Sequence, residues 1–454
     1  MIVYSDREEI VSTREFQRRI DLASDPTERL ILEGQFESGV MDALCPEIDD
    51  VVEHHLPDSI RVRVPEGFAF YALYPEMYAC GARRFMHEQR PSSCVVVGIR
   101  SIGTTLSRVV ADAVSASWRF TVRPHGHPFD RELRAGTMLE ARIRERVDDW
   151  FLVVDEGPGL SGSSFISVAM KLEELGVKRI ALFPSHDPDP SVFRSEQARR
   201  NWVRFARYVE PFRADRFVPA DASDLSGGLW RDVVNVDCAV EPSHERRKYR
   251  HQDRLWKFEG LGHFGKAKLE RARALKGFVP APIDLQNGFL ISDWVDARPA
   301  ELSEELLDAM ANYLAFLRAE FITSMKPANL SRMIEVNTGI KTQAPEDGVV
   351  VAVDGRMLPQ EWLQTGAGYV KTDALDHHDD HFYPGCQDIA WDIAGAAVEW
   401  GLPVDALTDR YLRLQSDATL RSRLPFYELA YRAYRYGYCE MFGFHDLASR
   451  YRKW

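Results

Sequence analysis

In the first half of the chain, short unbroken apolar runs alternate with stretches of helical periodicity. Residues 94–99 and 151–154 are continuous apolar runs of strand length, and each leads into a turn of small residues. After the first turn, Leu106, Val109, Val110, Ala113 and Val114 fall on one helical face. After the second, Phe165, Val168, Ala169, Leu172 and Leu175 do so, ending at Gly176. Alternation over 60–64 predicts a strand and 74–85 a helix. Strands are also expected at 118–122 and 179–184, with 138–143 as a returning strand. Repeated strand–turn–helix units predict an α/β domain with a parallel sheet flanked by helices. Before it, residues 1–58 are charged and weakly patterned. They suggest a short helix after Ser12 and either a strand or a helix end at 30–34, and their expected role is packing onto the next domain or a second subunit. The charged segment 241–254 marks a boundary. Beyond it, long helical patterns at 303–320 and 423–443 predict a mostly helical α+β domain. The expected division is therefore 1–58, 59–240 and 241–454.

Length changes this picture little, because 454 residues suit two or three domains. The net charge of −12 argues against a nucleic-acid partner, while local groups still decide whether small anions bind. The six cysteines are dispersed, with no Cys-x-x-Cys pair, which fits a reducing cytoplasm better than a disulfide framework. The N-terminus carries acids where a leader needs basic and apolar segments. No apolar run approaches a membrane span, so no membrane partner is expected.

Chemistry concentrates at the second strand–turn–helix unit. Asp155 and Glu156 end the strand, and Gly157-Pro158-Gly159-Leu160-Ser161-Gly162-Ser163-Ser164 opens the helix. Paired acids suit ribose hydroxyls. A loop of small residues at a helix N-terminus suits phosphate, through backbone N–H groups and serine hydroxyls. The same stretch also reads as an ordinary strand-to-helix turn. The earlier turn, Arg100-Ser101-Ile102-Gly103-Thr104-Thr105, repeats the arrangement with a cation.

These motifs, in this order over residues 60–240, resemble type I phosphoribosyltransferases. The resemblance implies that Asp155 and Glu156 are catalytic and hold the ribose hydroxyls of phosphoribosyl pyrophosphate. Gly159, Leu160, Ser161, Gly162, Ser163 and Ser164 would hold its 5′-phosphate. Arg100, Ser101, Gly103, Thr104 and Thr105 would hold pyrophosphate, with magnesium bridging. His125, His127, Arg131 and Arg134 would belong to a two-stranded flap, and Trp202, Phe205, Tyr208 and Trp230 either to an acceptor hood or to the core. The sequence departs from the family at Gly157-Pro158, where an apolar pair is usual, and at Gly159 and Leu160, where threonines are.

The C-terminal half resembles the aminoglycoside-phosphotransferase-like kinases. Its landmarks are Lys257, the segment 289–295, the loop Asp354-Gly355-Arg356-Met357-Leu358-Pro359-Gln360-Glu361, Lys371-Thr372-Asp373 and Asp388. The resemblance implies that Lys257 contacts nucleotide phosphates with Glu270 as helix partner, that 289–295 meets adenine, and that Asp388 is structural. Asp373, with Glu361, would hold magnesium. In this register Arg356 stands where the family has its catalytic aspartate, and an arginine cannot accept a proton. A shifted register would place Asp354 there instead. The run Asp376-His377-His378-Asp379-Asp380-His381 reads as a solvated loop beside Asp373, or as a metal pair at His377 and His381.

Three functions follow as expectations. The first is phosphoribosyl transfer to an unidentified acceptor, with the kinase-like half binding nucleotide such as ATP or the acceptor. The second is a non-catalytic sensor of a nucleotide or sugar phosphate. The third is a small-molecule kinase acting through the C-terminal half. A homodimer is compatible with each.

Overall fold

The computed structural model describes residues 8–50 and 56–454. The opening segment 1–7, read above against a leader peptide, lies outside them. The chain forms two compact units: Glu8–Phe217 with Gly260–Phe264, and Val218–Glu259 with Gly265–Trp454.

The first unit is built on a five-stranded parallel sheet. Its order is Trp118–Val122, Cys94–Ile99, Trp150–Val154, Arg179–Phe183 and Ala206–Arg207. Strand Cys94–Ile99 is buried along its whole length, as a central strand covered on both faces must be. Helices Ile102–Val114 and Ser163–Glu174 follow the two central strands and pack Leu106, Val110, Phe165, Val168 and Leu172 at full burial. Both turns therefore lie at the carboxyl ends of neighbouring strands, where ligands meet open α/β sheets. Strand Glu8–Ser12 pairs antiparallel with Ser59–Arg63, and Val11, Phe16, Ile20, Leu32, Val40, Ile60 and Val62 form a core of their own.

Two local expectations are corrected. Residues 30–34 lie inside the helix Pro26–Leu44, capped by the Asp25 side chain accepting from Glu28 N–H. Residues 138–143 form the helix Thr137–Arg144 rather than a strand. Leu139 and Ile143, four apart, are its buried residues, and the Leu, Glu, Ala and Arg around them are strong helix formers. The hairpin expected nearby is instead His125–His127 with Asp130–Glu132.

The second unit begins with a five-stranded antiparallel sheet, ordered Ser223–Asp224, Lys248–His251, Arg254–Phe258, Phe289–Asp293 and Pro282–Gln286. A largely helical body follows. Helix Glu304–Glu320 is capped by Ser303 accepting from Leu306 N–H. It joins helices Leu330–Thr338, Ala390–Trp400, Val404–Leu414 and Leu420–Met441 around Met310, Tyr313, Trp391, Tyr411 and Tyr431. Among the described residues, no helix is long and apolar enough to cross a membrane.

Candidate functional site

In the parallel-sheet unit the structure brings Asp155 and Glu156 close to the first turn. An added Cβ at Gly103 would stand 2.5 Å from the Val154 carbonyl and 3.2 Å from Asp155 Oδ1, so only glycine permits this approach. Tyr78 donates to the Asp155 carbonyl oxygen at 2.7 Å, and Gly67 N–H donates to Glu156 Oε2 at 3.0 Å. Loss of solvent pushes the Asp155 carboxyl up to about 7, against the pull of Arg123 and Arg131. Loss of solvent and the neighbouring Asp155 push Glu156 up to about 8.

The surrounding groups do not complete a pyrophosphate site. The Arg100 side chain is fully buried: Nε donates to Asp42 Oδ1 at 2.7 Å, Nη2 to Asp49, and Nη1 to the Thr121 carbonyl at 3.1 Å. Its charge is spent on structure. Thr104 and Thr105 are buried, and the hydroxyl of Thr105 would lie 1.9 Å from a Cβ at Gly34. Ser101 precedes the helix without a side-chain capping bond. In the second turn, Ser163 Oγ donates to the Pro128 carbonyl at 2.7 Å and pairs with Ser161 Oγ at 3.0 Å, while Leu160 is exposed and Ser164 is half-buried. Gly159 and Gly162 take left-handed conformations. Arg131 reaches the Pro124 carbonyl at 3.3 Å, and Arg134 pairs with Glu132. His125 and His127 lie on the hairpin. Trp202, Phe205 and Tyr208 are buried.

In the second unit one pocket gathers Lys257, Trp294, Arg356, Glu361, Asp373 and Tyr383. Lys257 leaves the central strand of the antiparallel sheet. Its ammonium lies 2.7 Å from Asp373 Oδ1, 3.0 Å from Glu259 Oε1 and 3.3 Å from Asp376 Oδ2. Burial opposes the charge of Lys257, but Asp373, Asp376 and Glu259 together hold it well above the usual lysine range. Burial likewise opposes the Asp373 carboxylate, and Lys257 and Lys248 outweigh it and hold Asp373 well below the usual range. Glu270, expected to be the partner of Lys257, is exposed on helix His263–Ala274; the carboxylates at Lys257 are those of Glu259, Asp373 and Asp376.

The loop 354–361 closes one side of this pocket. Asp354 is fully buried, accepting from Tyr313 Oη at 2.7 Å and facing Lys371 Nζ at 3.3 Å. Arg356 faces the acids: Nη2 is 2.6 Å from Glu361 Oε1 and 2.7 Å from Asp373 Oδ2. Lys371 takes the other Glu361 oxygen at 3.0 Å. The loop is pinned from behind by Asp392, whose carboxylate accepts from the backbone N–H groups of Asp354 and Gly355, each at 2.8 Å. Asp388, expected to be structural, pairs with Arg423 at 3.2 Å and accepts from the Val349 and Ala390 N–H groups.

The run 376–381 is not solvated. Asp376, His377 and Asp380 are buried, Arg246 pairs with Asp376 and Asp380, and Lys268 pairs with Asp379. The segment is a turn rather than a helix, so His377 and His381 do not share a helical face. His377 Nε2 approaches Asp373 at 3.5 Å. Asp373, Asp376 and His377 are near enough to share one ion. Arg246, Glu259 and Asp392 escaped the sequence reading because no spacing marks them, and Asp376 was read only as part of a solvated run; folding alone gathers them.

No protein-family model and no curated protein sequence matches the chain. Among solved structures, it is similar to a choline/ethanolamine kinase family protein from Mesorhizobium loti (16% identity, 45% of this chain and 82% of that one, TM-score 0.32). A choline kinase from Streptococcus pneumoniae is similar at 11% identity, over 49% of this chain and 94% of that one, with a TM-score of 0.34. An ethanolamine kinase from Plasmodium vivax is similar at 12% identity, over 64% and 93%, with a TM-score of 0.33. The expectation of phosphoribosyl transfer is corrected here. The cation expected to hold pyrophosphate, Arg100, is sealed between Asp42 and Asp49.

Proposed function

We propose that the unit of Val218–Glu259 and Gly265–Trp454 is a nucleotide-binding module on a small-molecule-kinase plan, lacking the carboxylate base that transfer requires. The observation carrying this reading is that Lys257, Asp373 and the strand exit Asp293-Trp294-Val295 line one pocket with the loop 354–361. Lys257 supplies a fixed cation for phosphates. The segment 293–295 supplies backbone and an indole for the base.

The missing group is equally specific. A general base must reach the proton it takes. Arg356 occupies the position facing the pocket and cannot accept one. Asp354 is behind the loop, enclosed by Tyr313 and Lys371, and cannot reach a substrate hydroxyl. A magnesium ion between Glu361 and Asp373 does not fit either, because Arg356 already bridges them. Binding without efficient turnover follows.

Calorimetric titration of the full chain with ATP tests this. Saturable binding that weakens at least about tenfold in Lys257→Met supports it. ATP consumption abolished by Asp354→Asn would show instead a working small-molecule kinase with the other loop register.

A further inference from the structure

We propose that Arg356 is a resident cation that takes the place of a divalent metal ion, so that nucleotide phosphates bind this pocket without metal. The inference rests on the nucleotide-binding reading and adds a specific ion requirement to it. A hard divalent cation needs free oxygen donors. All four carboxylate oxygens of the expected metal pair already face protein cations. Glu361 Oε1 meets Arg356 at 2.6 Å and Oε2 meets Lys371 at 3.0 Å. Asp373 Oδ1 meets Lys257 at 2.7 Å and Oδ2 meets Arg356 at 2.7 Å. A metal ion between these acids would displace a guanidinium or sit against it as a like charge.

The neighbouring set is no better for such an ion. Asp376 Oδ1 has no hydrogen-bond partner, but Oδ2 is held by Arg246 and by Lys257, which set two cations against any ion there, and His377 offers nitrogen rather than oxygen. Arg356 is well placed for the alternative role. One nitrogen bridges both acids, the Tyr383 ring lies 5.8 Å from the guanidinium carbon, and the side chain lines the pocket. Its Nε is buried with no hydrogen-bond partner in the structure. A planar guanidinium with a donor to spare is suited to phosphate oxygens in fixed geometry. Together, Lys257 and Arg356 place two cations where a lysine and a metal ion would otherwise share the work.

The test compares ATP binding by the full chain in EDTA and in magnesium, together with direct Mn2+ titration in the absence of nucleotide. Wild type is expected to bind ATP with affinities within about twofold in the two buffers, and to take up no Mn2+ at this site. Arg356→Ala is expected to lose at least about tenfold in EDTA, to recover in magnesium, and to gain a Mn2+ site that Asp373→Asn removes. Wild-type ATP binding that requires magnesium, or stoichiometric Mn2+ binding by wild type that Asp373→Asn abolishes, overturns the inference and leaves the nucleotide reading standing. Absence of ATP binding in both buffers overturns the nucleotide reading, and this inference with it. Because the wild-type comparison decides on its own, the outcome does not depend on the variant folding.

Discussion

Two adjacent acids show how differently a residue's identity and its state are encoded. Asp155 and Glu156 are plain in the sequence, as is their place between a strand and a turn. Their protonation is not, because it depends on the loss of solvent that folding imposes on both carboxyls, which outweighs the Gly67 N–H bond favouring the Glu156 carboxylate. Carboxyls in the unfolded chain titrate near 4, whereas in the folded unit they rise to about 7 and about 8. The native state therefore holds more protons than the unfolded state between those limits. The contribution of this pair to stability is fully present below about pH 4 and is lost as pH rises through 7 and 8. The double variant Asp155→Asn, Glu156→Gln cannot make this transition. Thermal melts at pH 5, 7 and 9 are expected to show the variant gaining on wild type as pH increases. A difference that stays constant with pH would show that the pair is ionised throughout.

At the scale of elements, apolar runs of strand length were legible and repeated motifs were not. The sequence contains Asp-Ile-Ala twice, at Asp388-Ile389-Ala390 and Asp392-Ile393-Ala394. Nothing local distinguishes them. The helix begins at Ala390, so Asp392 lies inside its first turn with its carboxylate toward the loop, while Asp388 falls on a short strand. Asp392→Ala would leave the N–H groups of Asp354 and Gly355 buried without acceptors, at a cost of about 1–3 kcal/mol each. Urea denaturation is expected to show that loss, and Asp388→Ala would not release the loop. The helix Thr137–Arg144 was misread for a related reason: a short apolar pattern fits two periods, and propensity with burial of Leu139 and Ile143 selects the helix. Arg100 gives the corresponding lesson for charge, since a cation in a small-residue turn looks like a ligand group until its partners are known. Removing it as Arg100→Ala leaves the buried Asp49 without a cation, holding only the Arg123 backbone N–H, while Asp42 keeps Arg63 and Arg123, and about 3–5 kcal/mol of stability is expected to go with it in the same denaturation experiment.

For the molecule as a whole, formal charge misleads about ligand preference. The chain carries −12, yet one pocket places Lys257, Arg356, Arg246 and Lys248 together. Interspersed acids hold these cations in fixed positions, and their spacing, not net charge, suits a phosphate-bearing ligand. The lysine and its distant aspartate, 116 residues apart, could be picked out from sequence because each stands in a recognisable local pattern. Glu259, which completes the cluster with Asp376, stands in none, and the acidic run around Asp376 suggested solvent rather than a buried partner. The central claim is that nucleotide binds at Lys257 and Asp373 and not at the Asp155–Ser164 turn. A crystal structure of the full chain with a non-hydrolysable ATP analogue tests this most directly. The account predicts the base against 293–295 and the phosphates at Lys257 and Arg356, with no metal ion between Glu361 and Asp373. Analogue bound at 155–164, with the Lys257 pocket empty, would contradict it.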